Sequence, residues 1–310
     1  LKNIKGSILL LLTAIIWGTS FVSQKLGMNY VEPFTFGAAR FILGAVVLLP
    51  LIFMFNTVNK KSNKEKNMVQ FNRKDLLTGG TLCGCALFFG ASLQQWGLVY
   101  TSAGKAGFIT ALYIVLVPII GIFMKKRVDI YTWLGVLLAV IGLYLLSIKE
   151  GFFMEIGDAI ILAGTLFWAI HILIVDSYAA KVESLKLSCV QFLTAGILSL
   201  LAAYIFENPD IEAIVDCAGP ILYTAIMVVG VAYTLQIIGQ RYTNPTVASL
   251  LMSLEAVFSA ICGALFLKET MTSRELIGCI LVFIAVILAQ IKPRELIKIF
   301  SKSLDKANIN

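Results

Sequence analysis

Ten apolar runs, separated by polar intervals too short to bury a core of their own, leave this 310-residue chain few ways to fold. They lie at roughly 7–24, 34–55, 76–99, 103–124, 130–148, 157–177, 186–206, 219–240, 246–267 and 275–291. Each is near the length at which a helix crosses about 30 Å of hydrocarbon. Helices are expected because their backbone polar groups are satisfied internally, which lipid demands. At 59% apolar and 14% charged residues, with a mean hydropathy of +0.89, two soluble domains are excluded. The fold class predicted is an all-α polytopic membrane protein with ten transmembrane helices. The first run, after Lys2 and Lys5, has the look of a secretory signal. It lacks a small-x-small cleavage site and Gln24-Lys25 follows directly, so a retained helix is expected.

The net charge of +7 is a matter of topology rather than of nucleic acid. Of the Lys and Arg residues, 19 fall on one set of alternate intervals and termini and 5 on the other, with Arg40 inside the second run. The first set includes the basic stretch 56–75 and the tail after Pro293; the second includes the acidic loop with Glu207, Asp210, Glu212 and Asp216. Positive charge resists translocation, which puts both termini in the cytoplasm of a multi-pass protein of the cytoplasmic (inner) membrane. In the tail, Leu296, Ile297, Phe300 and Leu304 share a helical face opposite Lys298, Lys302 and Lys306, so an amphipathic helix on anionic headgroups is expected.

The chain is also duplicated. Tyr100-Thr101-Ser102, Gln94, Gly97 and Gly121 correspond to Tyr242-Thr243-Asn244, Gln236, Gly239 and Gly263, with a single offset that also aligns Tyr113 with Glu255. Trp17, Val31-Glu32 and Phe41 correspond in the same way to Trp168, Val182-Glu183 and Phe192. Each repeat holds five helices, and an odd number makes the second copy enter the membrane from the opposite side. The boundaries drawn are 1–150 for the first repeat, 151–292 for the second and 293–310 for a cytoplasmic tail. Inverted repeats of this kind build transporters whose binding site lies between the halves near the midplane.

Glu255 lies midway along the ninth run, with mostly apolar residues on either side. An acid at that depth is costly and is by default a functional candidate. Three roles are open to it: a proton-coupling site, an anion that pairs with a substrate ammonium, or a neutral acid bonded to Tyr113 or another helix.

The whole pattern, with Trp17-Gly18, the stretch from Gln94 to Pro118, and Leu254-Glu255 through Leu267-Lys268-Glu269, resembles the EamA-type branch of the drug/metabolite transporter superfamily. The resemblance spans about residues 5–292. Ala256 and Lys268 replace a proline and a glycine of the family's ninth-helix signature, which puts in doubt a helix break at 256. It implies a carrier of small metabolites, often an exporter of amino acids or related amphipathic compounds, with a central cavity between the repeats.

Periodicity supplies the lining. Trp17, Ser20 and Gln24 recur at i, i+3 and i+7, as do Tyr233, Gln236 and Gln240; Trp168 and His171 repeat the first pattern on the sixth run. Polar side chains in lipid seek partners within the bundle, so these faces should point inward. The substrate-binding set expected is Trp17, Ser20, Gln94, Tyr113, Trp168, His171, Tyr233, Gln236 and Glu255, with Glu255 and His171 as proton-coupling candidates. Interhelical packing is the alternative for Gln94, Gln236 and His171. Arg40 either snorkels to the outer headgroups or pairs inside.

His171 is the only histidine and the six cysteines have neither zinc spacing nor a disulfide framework, so no metal is expected. No nucleotide-binding or hydrolase motif occurs, which argues against an enzyme and against a cofactor. The partners expected are a small-molecule substrate, the lipid bilayer and protons, with no nucleic acid and a homodimer left open. A membrane receptor or structural protein, an uptake carrier and a lipid-linked substrate flippase are the alternatives.

Overall fold

In the computed structural model, which describes residues 2–61, 72–101, 103–148, 154–266 and 272–290, ten helices are long and apolar enough to cross a membrane. We number them as spans 1 to 10: Ile4–Gly27, Pro33–Met54, Arg73–Tyr100, Lys105–Phe123, Ile130–Ser147, Ile156–Tyr178, Ser184–Phe206, Ala218–Gln240, Pro245–Cys262 and Ser273–Gln290. The centre of the basic stretch 56–75 and the tail after 293 lie outside the described residues, as do Leu267, Lys268 and Glu269. Local signals set the helix ends. Asn72, Asp129 and Asn244 each cap the helix that follows them with a side-chain oxygen, and Pro245 takes the first helical position, where its missing N–H is not needed. Span 2 is capped from the residue that follows span 7: the Glu207 carboxylate accepts from Phe34 N and Thr35 N, both at 2.7 Å.

Packing follows the duplication. Span 1 lies against spans 8 and 9, and its counterpart, span 6, lies against spans 3 and 4. Span 2 packs on span 7 and span 5 on span 10, each pair joining equivalent helices. The same small residues recur at these crossings. A Cβ on Gly97 would stand 2.7 Å from the Gly157 carbonyl oxygen, and one on Gly239 would stand 3.1 Å from that of Gly6. Those two pairs are equivalent in the repeat register, and both let backbones approach without an intervening side chain. Gly80 and Gly84 place span 3 on span 7 in the same way, beside Val190, Gln191 and Thr194. Outer faces are apolar and open, with Leu137 and Ile287 60% and 61% exposed, as lipid-facing surfaces require.

Three spans depart from a regular helix, and all three interruptions lie beside the site. Span 4 is broken at Leu112, between Ala103–Ala111 and Tyr113–Phe123. Span 9 is broken at Ser253, between Pro245–Met252 and Leu254–Phe266. In each, one tight turn replaces the α-helical pattern: Val115 N donates to Leu112 O and Ala256 N to Ser253 O. The break in span 9 therefore forms with Ala256 rather than a proline after it, just before Glu255. Span 8 is π-helical over Thr224–Tyr233. Its Ala232 carbonyl accepts from Thr13 Oγ1 of span 1 at 3.1 Å, which ties the wide turn to its neighbour.

Candidate functional site

A cavity opens between the repeats, walled by residues of spans 1, 2, 3, 4, 6, 8 and 9. Its space, open mouth included, is about 480 Å³. Eight of the nine residues picked from sequence line it: Trp17, Ser20, Gln94, Tyr113, Trp168, Tyr233, Gln236 and Glu255. Gln24, Arg40, Thr110, Phe21, Ile172 and Val228 complete the wall.

The two tight turns put Tyr113 and Glu255 at the starts of their half-helices, facing each other. The Tyr113 hydroxyl donates to Glu255 Oε1 at 3.2 Å, joining residues 142 positions apart in equivalent places of the two repeats. Gly18 makes room for this. A Cβ there would meet the Glu255 carbonyl oxygen at 2.7 Å, so span 1 presses directly on the backbone that carries the acid.

A second cluster gathers around Gln24. It donates to Ser20 Oγ at 3.0 Å, while its Oε1 accepts from Arg40 Nη1 at 3.1 Å and from Gln94 Nε2 at 3.5 Å. Thr110 Oγ1 extends the chain to Gln94 Oε1 at 3.4 Å. Arg40 is 5% exposed, and its guanidinium carbon sits 5.3 Å from the centre of the Phe36 ring and 4.9 Å from that of Phe41. It points inward, so the snorkelling reading of it is set aside. A guanidinium at the centre of a membrane helix costs about 2.5–3.5 kcal/mol on insertion scales. An interhelical hydrogen bond in a membrane protein averages about 0.6 kcal/mol. One bond to an amide is smaller than that cost, and the faces of Phe36 and Phe41 are the other contacts of the charge.

Between the clusters lies an aromatic wall. The rings of Trp17 and Trp168, equivalent in the two repeats, lie 5.0 Å and 6.2 Å from that of Tyr233, with Trp168 stacked at 15°. Tyr233 ends the π-helical segment. His171 is fully buried one layer behind, its ring edge-on to Trp168 and Tyr233 and its Nε2 3.0 Å from Gln191 Oε1. The period of span 6 gave the correct face of the helix, but a hydrogen-bond partner on span 7 draws the imidazole away from the cavity. Gln240 also lies behind, donating to the Ile172 carbonyl at 2.9 Å and accepting from Gln236 at 2.9 Å. Sequence reasoning missed Thr110, although it precedes Tyr113 by one helical turn on the same span.

Several buried polar atoms of the wall have no partner: Trp17 Nε1, Trp168 Nε1, Arg40 Nε and Gln236 Oε1. Each such group costs about 1–3 kcal/mol when nothing satisfies it. Other such atoms lie away from the cavity, among them Gln95 Oε1, Ser199 Oγ and Gln191 Nε2. Among the described residues no cluster is arranged to hold a metal, and the six cysteines are free.

Ten spans in two inverted five-helix repeats around a polar, aromatic-walled cavity define a polytopic membrane protein of the transporter class. The sequence pattern of the EamA-like transporter family matches residues 4–148 and again 155–290, so the chain belongs to that family. An "Uncharacterized transporter" of Archaeoglobus fulgidus is 32% identical over 292 residues, covering 94% of this chain and 87% of its own length. "Uncharacterized transporter YoaV" of Bacillus subtilis is 20% identical over 274 residues, covering 86% of this chain and 90% of its own. A solved structure titled "Crystal structure of protein" shares the fold at a TM-score of 0.73 and 18% identity, covering 94% of this chain and 98% of its own.

Proposed function

We propose that this membrane transporter is a secondary carrier that works by alternating access and exports amino acids or related amphipathic metabolites across the cytoplasmic membrane. Residues 1–150 and 151–292 act as the two moving repeats, both termini lie in the cytoplasm, and residues 293–310 form the cytoplasmic tail. One observation carries the reading: Tyr113 and Glu255, equivalent positions of the two repeats, meet at 3.2 Å in a cavity that both repeats wall. A contact of that kind breaks and reforms when the repeats move against each other, so occupancy of the cavity and the state of the carrier are coupled. Trp17, Trp168 and Tyr233 take the apolar body of the substrate, and Ser20, Gln94 and Gln236 orient its polar groups. Of the two proton-coupling candidates, Glu255 lines the cavity and His171 does not, so the coupling role is assigned to Glu255 and a positioning role behind Trp168 to His171.

Single cysteines at Gln94, Trp168 and Gln236, introduced one at a time, test the site. The cavity reading expects them to react with small polar thiol reagents and to be protected by any metabolite that raises the protein's thermal stability. Leu137, 60% exposed on the lipid face, is the control. Labelling no faster than at Leu137 would place the site elsewhere.

A further inference from the structure

We propose that Arg40 is the anchor for an anionic oxygen group on the transported molecule, and that the rest of the cavity is arranged around that attachment. The inference rests on the reading of the cavity as the substrate site. Three features of the first cluster support it. Nη1 of the guanidinium donates to Gln24 Oε1 at 3.1 Å. Nε has no partner, and Arg40 belongs to none of the described ion pairs. What remains is the edge formed by Nε and Nη2, whose parallel N–H bonds match the two oxygens of a carboxylate or of a phosphate ester. The one acid lining the cavity, Glu255, is bonded to Tyr113 instead.

The neighbouring wall also has donors to spare. Trp17 Nε1 and Trp168 Nε1 are buried donors without a partner, and among the lining's buried atoms Gln236 Oε1 is the acceptor without one. An acceptor-rich end of a ligand fits these donors. The duplication gives the cavity direction as well. Arg40 in the first repeat corresponds to Gln191 in the second, and that neutral amide is engaged by His171 at 3.0 Å. Positive charge therefore lies on the first repeat's side of the cavity and the acid Glu255 on the second's, so the ligand binds in one orientation.

The test uses the full chain in lipid nanodiscs, with its six native cysteines replaced by alanine and a single Thr110→Cys in the lining. The rate of modification is measured with sulfonatoethyl methanethiosulfonate, an anion, and with trimethylammonioethyl methanethiosulfonate, a cation, each divided by its rate with a free thiol in solution. The ratio of the two cancels any effect of Arg40 on the reactivity of the thiol itself. With Arg40 present the anionic reagent is expected to win by about tenfold, one decade corresponding to 1.4 kcal/mol. Arg40→Gln should remove that preference and Arg40→Lys should keep most of it. Anion preference that survives Arg40→Gln, or a cation preference with Arg40 intact, overturns the proposal even if Arg40→Gln folds poorly. Absence of modification by either reagent overturns instead the cavity reading beneath it. Protection by 3-phenylpropionate, phenyl phosphate or 2-phenylethylamine then separates the sources of the charge. Protection by either anion and not by the amine is expected, and the stronger anion names the group; protection by the amine alone, or by none of the three, overturns the assignment.

Discussion

Arg40 and Glu255 line the same cavity, yet each is held by a neutral partner, Arg40 by Gln24 and Glu255 by Tyr113. Glu255→Gln preserves size and hydrogen-bonding capacity while fixing the charge at zero. The mutant should insert and fold, and its concentrative transport should fall at least tenfold with the pH dependence flattened, while passive exchange continues. Wild-type rates with the wild-type pH profile would leave Glu255 a structural role only. Tyr113→Phe removes one hydrogen bond, worth about 0.6 kcal/mol between membrane helices, so little stability should be lost and any large change in transport reports on the contact between repeats. Much of this site is legible in the sequence, because the spacing of Trp17, Ser20 and Gln24 fixes a face and the repeat register pairs Tyr113 with Glu255. Arg40 is not legible in the same way. Its distance from a helix end is compatible with reaching the headgroups, and only the rotation of span 2 decides that the guanidinium turns inward to Gln24.

At the scale of the helix, the features that shape the cavity are departures from regularity. The breaks at Leu112 and Ser253 and the π-helical Thr224–Tyr233 leave no mark in hydrophobic periodicity, since most residues around them are apolar or small. The break in span 9 was open to doubt for want of a proline; the tight turn at Ser253 forms without one, its Oγ donating to the Leu250 carbonyl at 2.8 Å. Span lengths, by contrast, follow from the apolar runs. Glycine crossings are where backbone contact is tightest, and they give a stability prediction. Gly97→Leu forces a side chain against the Gly157 carbonyl and Ile161, and should cost about 1–3 kcal/mol in reversible unfolding in bicelles. Gly107, where a Cβ would meet nothing within 4 Å, is the control, and Gly107→Ala should leave stability nearly unchanged. Equal losses at both positions would mean that the close approach of spans 3 and 6 is not what glycine provides. Span 4 is also tied to span 6 near both ends, Lys105 Nζ to the fully buried Asp158 at 2.8 Å and Lys126 to Asp176. Asp158 further accepts from Thr101 Oγ1 at 2.7 Å and from Glu155 N at 3.0 Å. Asp158→Ala strips all three partners and should destabilise by about 1–3 kcal/mol per group left unsatisfied, read in the same unfolding assay; a neutral effect would remove the clamp from the picture.

For the molecule as a whole, the duplication explains more than any single motif. Equivalent helices swap partners across the bundle, and the two copies supply different chemistry: Tyr113 faces Glu255 in the cavity, and Arg40 lines it while its equivalent Gln191 is buried against His171. The asymmetry in basic residues, 19 against 5, sets the expected orientation. A reporter fused after Asn310 and a cysteine in the stretch 56–75 should both report the cytoplasm, and labelling of that cysteine from outside intact cells would reverse the topology. The central claim, that the cavity between the repeats carries a solute across the membrane, is tested most directly by counterflow. Purified protein in proteoliposomes would be loaded with each member of a panel of amino acids and related organic acids that raises its thermal stability, and uptake of the labelled compound followed. Saturable counterflow above that of empty liposomes, reduced at least tenfold by Trp168→Ala, is expected for at least one such compound. Uptake indistinguishable from empty liposomes for every compound that binds would contradict it.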